Sequence, residues 1–411
     1  MKLAHLSVVA CSLVLASGAL VSCKERKSAP TPTAAVSSGA ASSVAPEPPL
    51  PKLTATSGGI AIGNLDAEIE SIEKRQIDRS GREGLIELLS ARGQYLGRIA
   101  DYERASEIAE KLVAEAPEEP VGLQSRAGTL STFHRFDAAL ADLAEAEKHG
   151  ASADKLAGTR ASIYVAMGRY DDALALMPHD EATMTPMQLA GTGLLLGELG
   201  KLSESSRLLD LAREKYPDVS PFPLAWMDAQ QAALFEKNGL EDKARAHYVR
   251  ALAMLPTYAR AAAHLAAISR PDDAVALLQP ISVTSDDPEI TVQLAEALRR
   301  SGRADEGASK LKEAIARYDE LLQRHPEAFA DHAAAMWLGE GRDPARALPL
   351  AKRNVEVRKT SEAYELLLTA ALAAKDEAEA CRAAREGLAL KYASGSLRKL
   401  ATPVAARCPA P

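Results

Sequence analysis

Short amphipathic stretches that open on a turn recur along the chain. DYERASEIA from Asp101, RFDAALADL from Arg135, GRYDDALAL from Gly168 and GRDPARALPL from Gly341 share one layout. Each reads as a turn and a helix start, with small and apolar residues at helical spacing. A second pattern links them. A small residue stands midway along one predicted helix, and another stands twelve positions later, early in the next. The pairs are Gly93 and Ala105, Ala127 and Ala139, Ala161 and Ala173, Gly193 and Ser205, Ala232 and Ala244, Ala262 and Ala274, Ala295 and Gly307, and Ala335 and Ala347. A ninth pair, Leu368 and Ala380, breaks the rule at its first member.

The first two steps, Gly93 to Ala127 to Ala161, are 34 residues each, and later steps drift between 30 and 40. Alanine is common here, so the register gains weight from its surroundings. Gly168, Gly200, Gly239 and Gly302 stand where the first helix of a pair would end, a place that accepts positive φ. Tyr102, Phe136 and Tyr170 follow the turn. Pro117, Pro217, Pro256 and Pro326 close second helices, because proline removes a donor and restricts the residue before it. Pro178 and Pro280 predict short second helices in the third and sixth units.

These units resemble tetratricopeptide repeats over residues 85–392. The resemblance implies an all-α, right-handed solenoid of about nine antiparallel helix pairs. Neighbours in such an array share one core, and no unit is stable alone. Apolar Leu65, Ile69, Ile72 and Ile77 within residues 61–84 predict a leading helix that caps the first unit. A generic helical bundle would not need nine units in one register.

The first 22 residues, with Lys2 ahead of an apolar run, read as a secretory signal. Leu20, Val21, Ser22 and Cys23 resemble the bacterial lipoprotein signal box. That resemblance implies cleavage before Cys23 and acylation of its thiol and new amino group. Several acyl chains hold a protein stably at a bilayer where one does not. Lys24 rather than aspartate follows, which by the enteric pattern points to the outer membrane, and the same resemblance implies its periplasmic face. Residues 23–60, dense in Pro, Ala, Ser and Thr, bury too little apolar surface to order and read as a tether.

The whole chain has 411 residues, 49 basic and 56 acidic, a net charge of −7. This mild acidity without a basic cluster argues against nucleic acid as main partner. Of four cysteines, Cys11 leaves with the signal and Cys23 is assigned to lipid. Cys381 and Cys408 remain, and an oxidising compartment favours their pairing, which would pin the tail 393–411 to the last unit.

Candidate chemistry is sparse. His134, His179, His247, His264, His325 and His332 are scattered, with no HExxH, CxxC or phosphate loop. His247 shares a helix with Asp242, Lys243 and Arg250 and reads as part of a solvated face. No catalytic residue, metal, cofactor or small-molecule substrate is expected. By the repeat resemblance, Gln94, Arg98, Ser162, Met187, Leu194, Trp226, Ala233, Glu236, Lys237, Glu289, Glu296, Arg299 and Arg300 line a concave groove open to a protein or peptide partner. It has no repeated clamp for a peptide carboxylate. Trp226 could anchor such an interface, though core packing is the preferred reading, as it is for Trp337.

The expectation is therefore a membrane-anchored periplasmic scaffold. Alternatives are an accessory lipoprotein in outer-membrane protein assembly, secretion or polysaccharide export, and a purely structural envelope module.

Overall fold

The computed structural model describes residue 50, residues 52–75 and residues 77–409. The signal 1–22, Cys23 and most of the tether lie outside them. Among the described residues there are twenty helices and no strand. A leading helix α1 (Gly58–Glu73) precedes nine pairs. These are α2 (Arg79–Leu96) with α3 (Ile99–Glu115), α4 (Pro120–Thr132) with α5 (Phe136–Lys148), and α6 (Ala153–Met167) with α7 (Tyr170–Leu174). Next come α8 (Pro186–Glu198) with α9 (Leu202–Glu214), α10 (Pro221–Lys237) with α11 (Glu241–Met254), and α12 (Ala259–Ala267) with α13 (Pro271–Thr284). The last three are α14 (Pro288–Arg300) with α15 (Ala304–Arg324), α16 (Pro326–Leu338) with α17 (Pro344–Val357), and α18 (Ser361–Ala373) with α19 (Glu377–Leu388). Helix α20 (Gly395–Ala405) ends the array. The fold is an α-solenoid.

The small residues do what close crossing requires. A Cβ added to Gly193 would lie 3.1 Å from the carbonyl oxygen of Ser205, its partner twelve residues on, and one added to Gly307 would lie 2.8 Å from that of Ala295. Gly93 sits under the ring of Tyr102 in the same way. Ala105, Ala127, Ala139, Ala161, Ala173, Ser205, Ala232, Ala244, Ala262, Ala274, Ala295, Ala347 and Ala380 are all buried. Ala335 is only half-buried. Leu368, which departs from the small-residue rule, is nonetheless fully buried in the last core.

Turn chemistry follows from backbone sterics. Gly168, Gly200, Gly239 and Gly302 have φ of +80°, +78°, +71° and +85°, a conformation that costs glycine little. Units two, eight and nine put His134, Arg342 and Lys375 in the same left-handed region, at φ +56°, +49° and +59°. Helix starts carry side-chain caps where the sequence supplies an oxygen. Asp78 accepts from Gly81 N, and Thr185 and Gln188 form a reciprocal box at α8.

Several expectations need correction. Residues 61–84 are not one helix. The chain leaves α1 after Glu73 and restarts at α2, capped by Asp78. The last residues assigned to the tether are packed, since Leu53 and Ala55 lie against a core and α1 begins at Gly58. Pro178 does follow a very short second helix, α7, but α13 continues through Pro280. Pro280 is exposed, so part of the loss from its missing donor is made good by water. The tail is helical: Leu397, Ala401 and Val404 of α20 cover the end of the last core. Cys381 and Cys408 are joined in a disulfide, with Cα atoms 5.7 Å apart.

Candidate functional site

The winding of the array decides which surfaces are free. Turns within the early units seat on loops between the late units, with most contacts at an offset of 186 to 193 residues and the others one helix further on, at 220 to 222. At the first step, Ile99 N and Ala100 N, at the start of α3, donate to Asp286 Oδ1 and Oδ2 at 2.5 and 3.1 Å. Asp286 N returns a bond to Gly97 O at 3.1 Å. At the second, His134 Nδ1 meets Glu327 O at 3.1 Å, Phe133 stacks on His325, and His325 Nε2 lies 2.9 Å from Glu103. At the third, Lys359 N donates to Met167 O at 3.1 Å and Arg358 Nε to Ala166 O at 3.3 Å. Beyond it Lys391 Nζ and Tyr392 Oη reach Asp171 at 2.8 and 2.7 Å. One turn of the superhelix thus rests directly on the next.

The expected groove is accordingly not open. Trp226 is 2% exposed, inside the core of units four to six. Lys237 is held between Glu198, at 2.8 Å, and Glu362, which come from α8 and α18. Burial opposes its charge, but the two carboxylates hold its pKa well above the usual lysine range. Glu236 accepts from Tyr248 Oη at 2.8 Å and pairs with His264 Nδ1 at 3.0 Å. Gln94 is half-buried beside Tyr258. Arg98 is the N-cap residue of α3, 4.0 Å from Asp101. Arg299 is bidentate to Glu340 and Arg300 donates to Ser269 O at 3.2 Å. Side chains assigned to a partner are thus largely engaged with the chain itself. Sequence spacing could not show this, because the register says nothing about the pitch of the superhelix.

Beside the seam, units seven and eight carry a partly buried ionic layer. His332 Nδ1 is 3.1 Å from Glu289 Oε2. Burial disfavours its charge, yet Asp331 and Glu289 outweigh this and push it up to about 9. Burial likewise works against Glu289, but His332 brings it down to about 2. Asp287, the N-cap of α14, is pushed up to about 6 by burial and by the charge of Glu289. Asp331 also binds Arg358 at 3.0 Å, and burial together with the Arg358 charge lowers His134 to about 4.

His247 is not on a solvated face. It is buried, with Nδ1 3.0 Å from Asp228 Oδ1. Arg250 reaches the same carboxylate at 2.6 and 2.8 Å, and Arg213 lies 3.5 Å away. Burial would raise Asp228, but these donors and charges hold it below the usual carboxylate range. The signal in the sequence was an aspartate and two glutamines, Asp228, Gln230 and Gln231, inside the otherwise apolar stretch 221–235 of α10. Everything around Asp228 satisfies its charge, so the cluster reads as a structural ion network and not as an acid–base pair awaiting substrate.

Concavities on the outside of the described residues include two near the end of the array. One of about 160 Å³ lies at the seam between Gly168, Asp172, Lys359 and Tyr392. The other, about 750 Å³ and shallow, runs between α17 and α19 over Tyr364, flanked by Lys352, Glu356, Arg382 and Glu386.

No protein-family model matches the sequence, and no curated protein does. Solved structures with a similar course include the Cut9–Hcn1 hetero-tetramer of APC/C, at 13% identity and TM-score 0.46, covering 83% of this chain. This chain spans 66% of that one. Human IFIT1, in a structure described as a dimer with PPP-AAAA, matches at 14% identity and TM-score 0.42, over 82% of this chain and 83% of its own. The C-terminal part of a TPR repeat-containing protein from Cytophaga hutchinsonii matches at 16% identity and TM-score 0.29, over 59% of this chain and 98% of its own. The order and pairing of the helices in this chain itself give a TPR-like α-solenoid.

Proposed function

We propose that the protein is a lipid-anchored envelope scaffold that binds a protein partner and carries out no reaction. The observation that carries this reading is the solenoid itself. Nine helix pairs give a long surface, and its buried charges are satisfied from within and not arranged round a cavity. The acyl anchor at Cys23 rests on the signal-like sequence alone. A protein partner, in preference to nucleic acid, is supported by the mildly acidic balance of the chain. The surface offered is the exterior, including the shallow groove between α17 and α19.

Two measurements test this. Metabolic labelling with a palmitate analogue should mark the wild type and not Cys23→Ala, and label retained in that variant would overturn the anchor. A photo-crosslinker at exposed Glu356 should give one discrete adduct that Glu386→Lys abolishes, while one at Glu236 gives none. Adducts from Glu236 alone would return the partner to the inner face.

A further inference from the structure

Residues 52–57 precede α1 and run extended across the middle of the array. Leu53 and Ala55 pack on the core that contains Trp226, Leu255 and Tyr258, while Lys52 and Thr54 face solvent. This is the alternation of an extended chain laid on a surface. Thr56 N donates to Val219 O, in the loop before α10, at 2.7 Å. Gly58 is buried so close to the loop after α11 that a Cβ there would lie 2.5 Å from Met254 O. The strap therefore ties the start of the chain to units five and six. Close by, Tyr95 of α2 packs edge-on to Tyr258, with ring centroids 5.1 Å apart.

The strap lies at one end of the series of contacts that closes the superhelix. From there the seam passes through Gly97 and Asp286, then His134 and Glu327, then Met167 and Lys359. At the strap end Tyr95, Ala91 and Ile62 add apolar contact with the core of units four to six; from Gly97 onward polar groups make most of these contacts, and their bonds can be exchanged for bonds to water at a small net cost. Within each turn the contacts are apolar cores, which cannot be exchanged so cheaply. Elements with little buried apolar area open first, and the strap buries only parts of Leu53 and Ala55.

We propose that this strap is a latch on the superhelix: seated on the Val219 and Met254 loops it holds the first turn closed on the second, and when lifted it lets the seam open from Gly97 towards Met167. Opening frees the inner faces that carry Glu236 and Lys237. The latch stands on this geometry and needs neither the lipid anchor nor the partner.

Hydrogen exchange of the full chain tests it, because four amides report on the seam. Ile99 N and Ala100 N lie in the first turn of α3, where no acceptor within the helix exists, and both depend on Asp286. Asp286 N and Lys359 N bond across the seam as well. Leu53→Asp and Ala55→Asp should each speed exchange at all four by about tenfold or more, leaving the amides of Ala229 and Ala232 inside α10 unchanged, and Leu53→Ile should behave as wild type. Thr56→Pro, which removes the strap's donor and keeps Leu53 and Ala55, should do the same if the aspartate variants fail to fold. Faster exchange confined to residues 52–62, or a rise that includes α10 equally, would overturn the latch.

Discussion

Asp286 caps a helix that begins 187 residues before it in sequence: its carboxylate accepts from the amides of Ile99 and Ala100, at the start of α3. Arg317 holds the same carboxylate from the other side at 3.0 Å. A helix N-terminus with no cap of its own is thereby satisfied from the next superhelical turn. Asp286→Ala should destabilise the chain by roughly 1–3 kcal/mol, the range for hydrogen bonds to a charged group. Asp286→Asn, which keeps one acceptor oxygen, should cost less. Chemical denaturation of both variants checks the order.

Two glycines with nearly the same backbone angle should respond differently. Gly200 has open space around it, so Gly200→Ala carries only left-handed strain, about 1–2 kcal/mol. Gly168 faces the carbonyl of Lys359 across the seam, and a Cβ there would collide with it. Gly168→Ala should therefore cost clearly more and displace the loop 358–360. Melting temperatures of the two variants, compared side by side, measure the part that belongs to the seam.

The ionic layer sets a pH dependence. His332 has a folded-state pKa of about 9, above its ordinary 6.5. A raised value means stability fully present below about pH 6.5 and lost as pH climbs through 9. Glu289 acts at the other end: lowered to about 2, it contributes above its ordinary 4.5 and fails as pH falls towards 2. Denaturant midpoints should thus decline between pH 6.5 and 9, by an amount on the order of 1–3 kcal/mol. In His332→Gln that decline should flatten, with lower stability at pH 6.

The disulfide should matter chiefly at the end of the array. Loop-closure arguments for the 27-residue separation of Cys381 and Cys408 give roughly 3.5 kcal/mol. Cys408→Ser should make α20 the first site of limited proteolysis, while the helices of units one to eight stay protected.

How much of this was legible in the sequence depends on distance along the chain. The crossing of Gly193 with Ser205, or of Ala295 with Gly307, is local, and steric need leaves a mark every thirty to forty residues. Gly168 could be assigned to a helix end for the same reason. Its second role, against Lys359, leaves no mark, because contacts between superhelical turns obey no short period. Asp286 stands among other polar residues ahead of Pro288 and carries no periodic mark. His134 and His325 looked unrelated, although both lie at the same step of the seam. Lys237 and Glu236 were expected to line a groove open to a partner, and the sequence could not say that the chain itself engages them. Asp228 was hidden by its own helix, since its partners His247 and Arg250 come from the next one.

The closed superhelix is tested most directly by zero-length carbodiimide crosslinking of the monomer, read by mass spectrometry. Lys391 and Asp171 are 220 residues apart in sequence, exposed, and in contact at 2.8 Å. Lys352 and Glu379, 3.2 Å apart in neighbouring units, give the internal control. The closed structure predicts both crosslinks within one chain. Recovery of the Lys352–Glu379 link with no Lys391–Asp171 link would mean that the units stack as described but the turns do not meet.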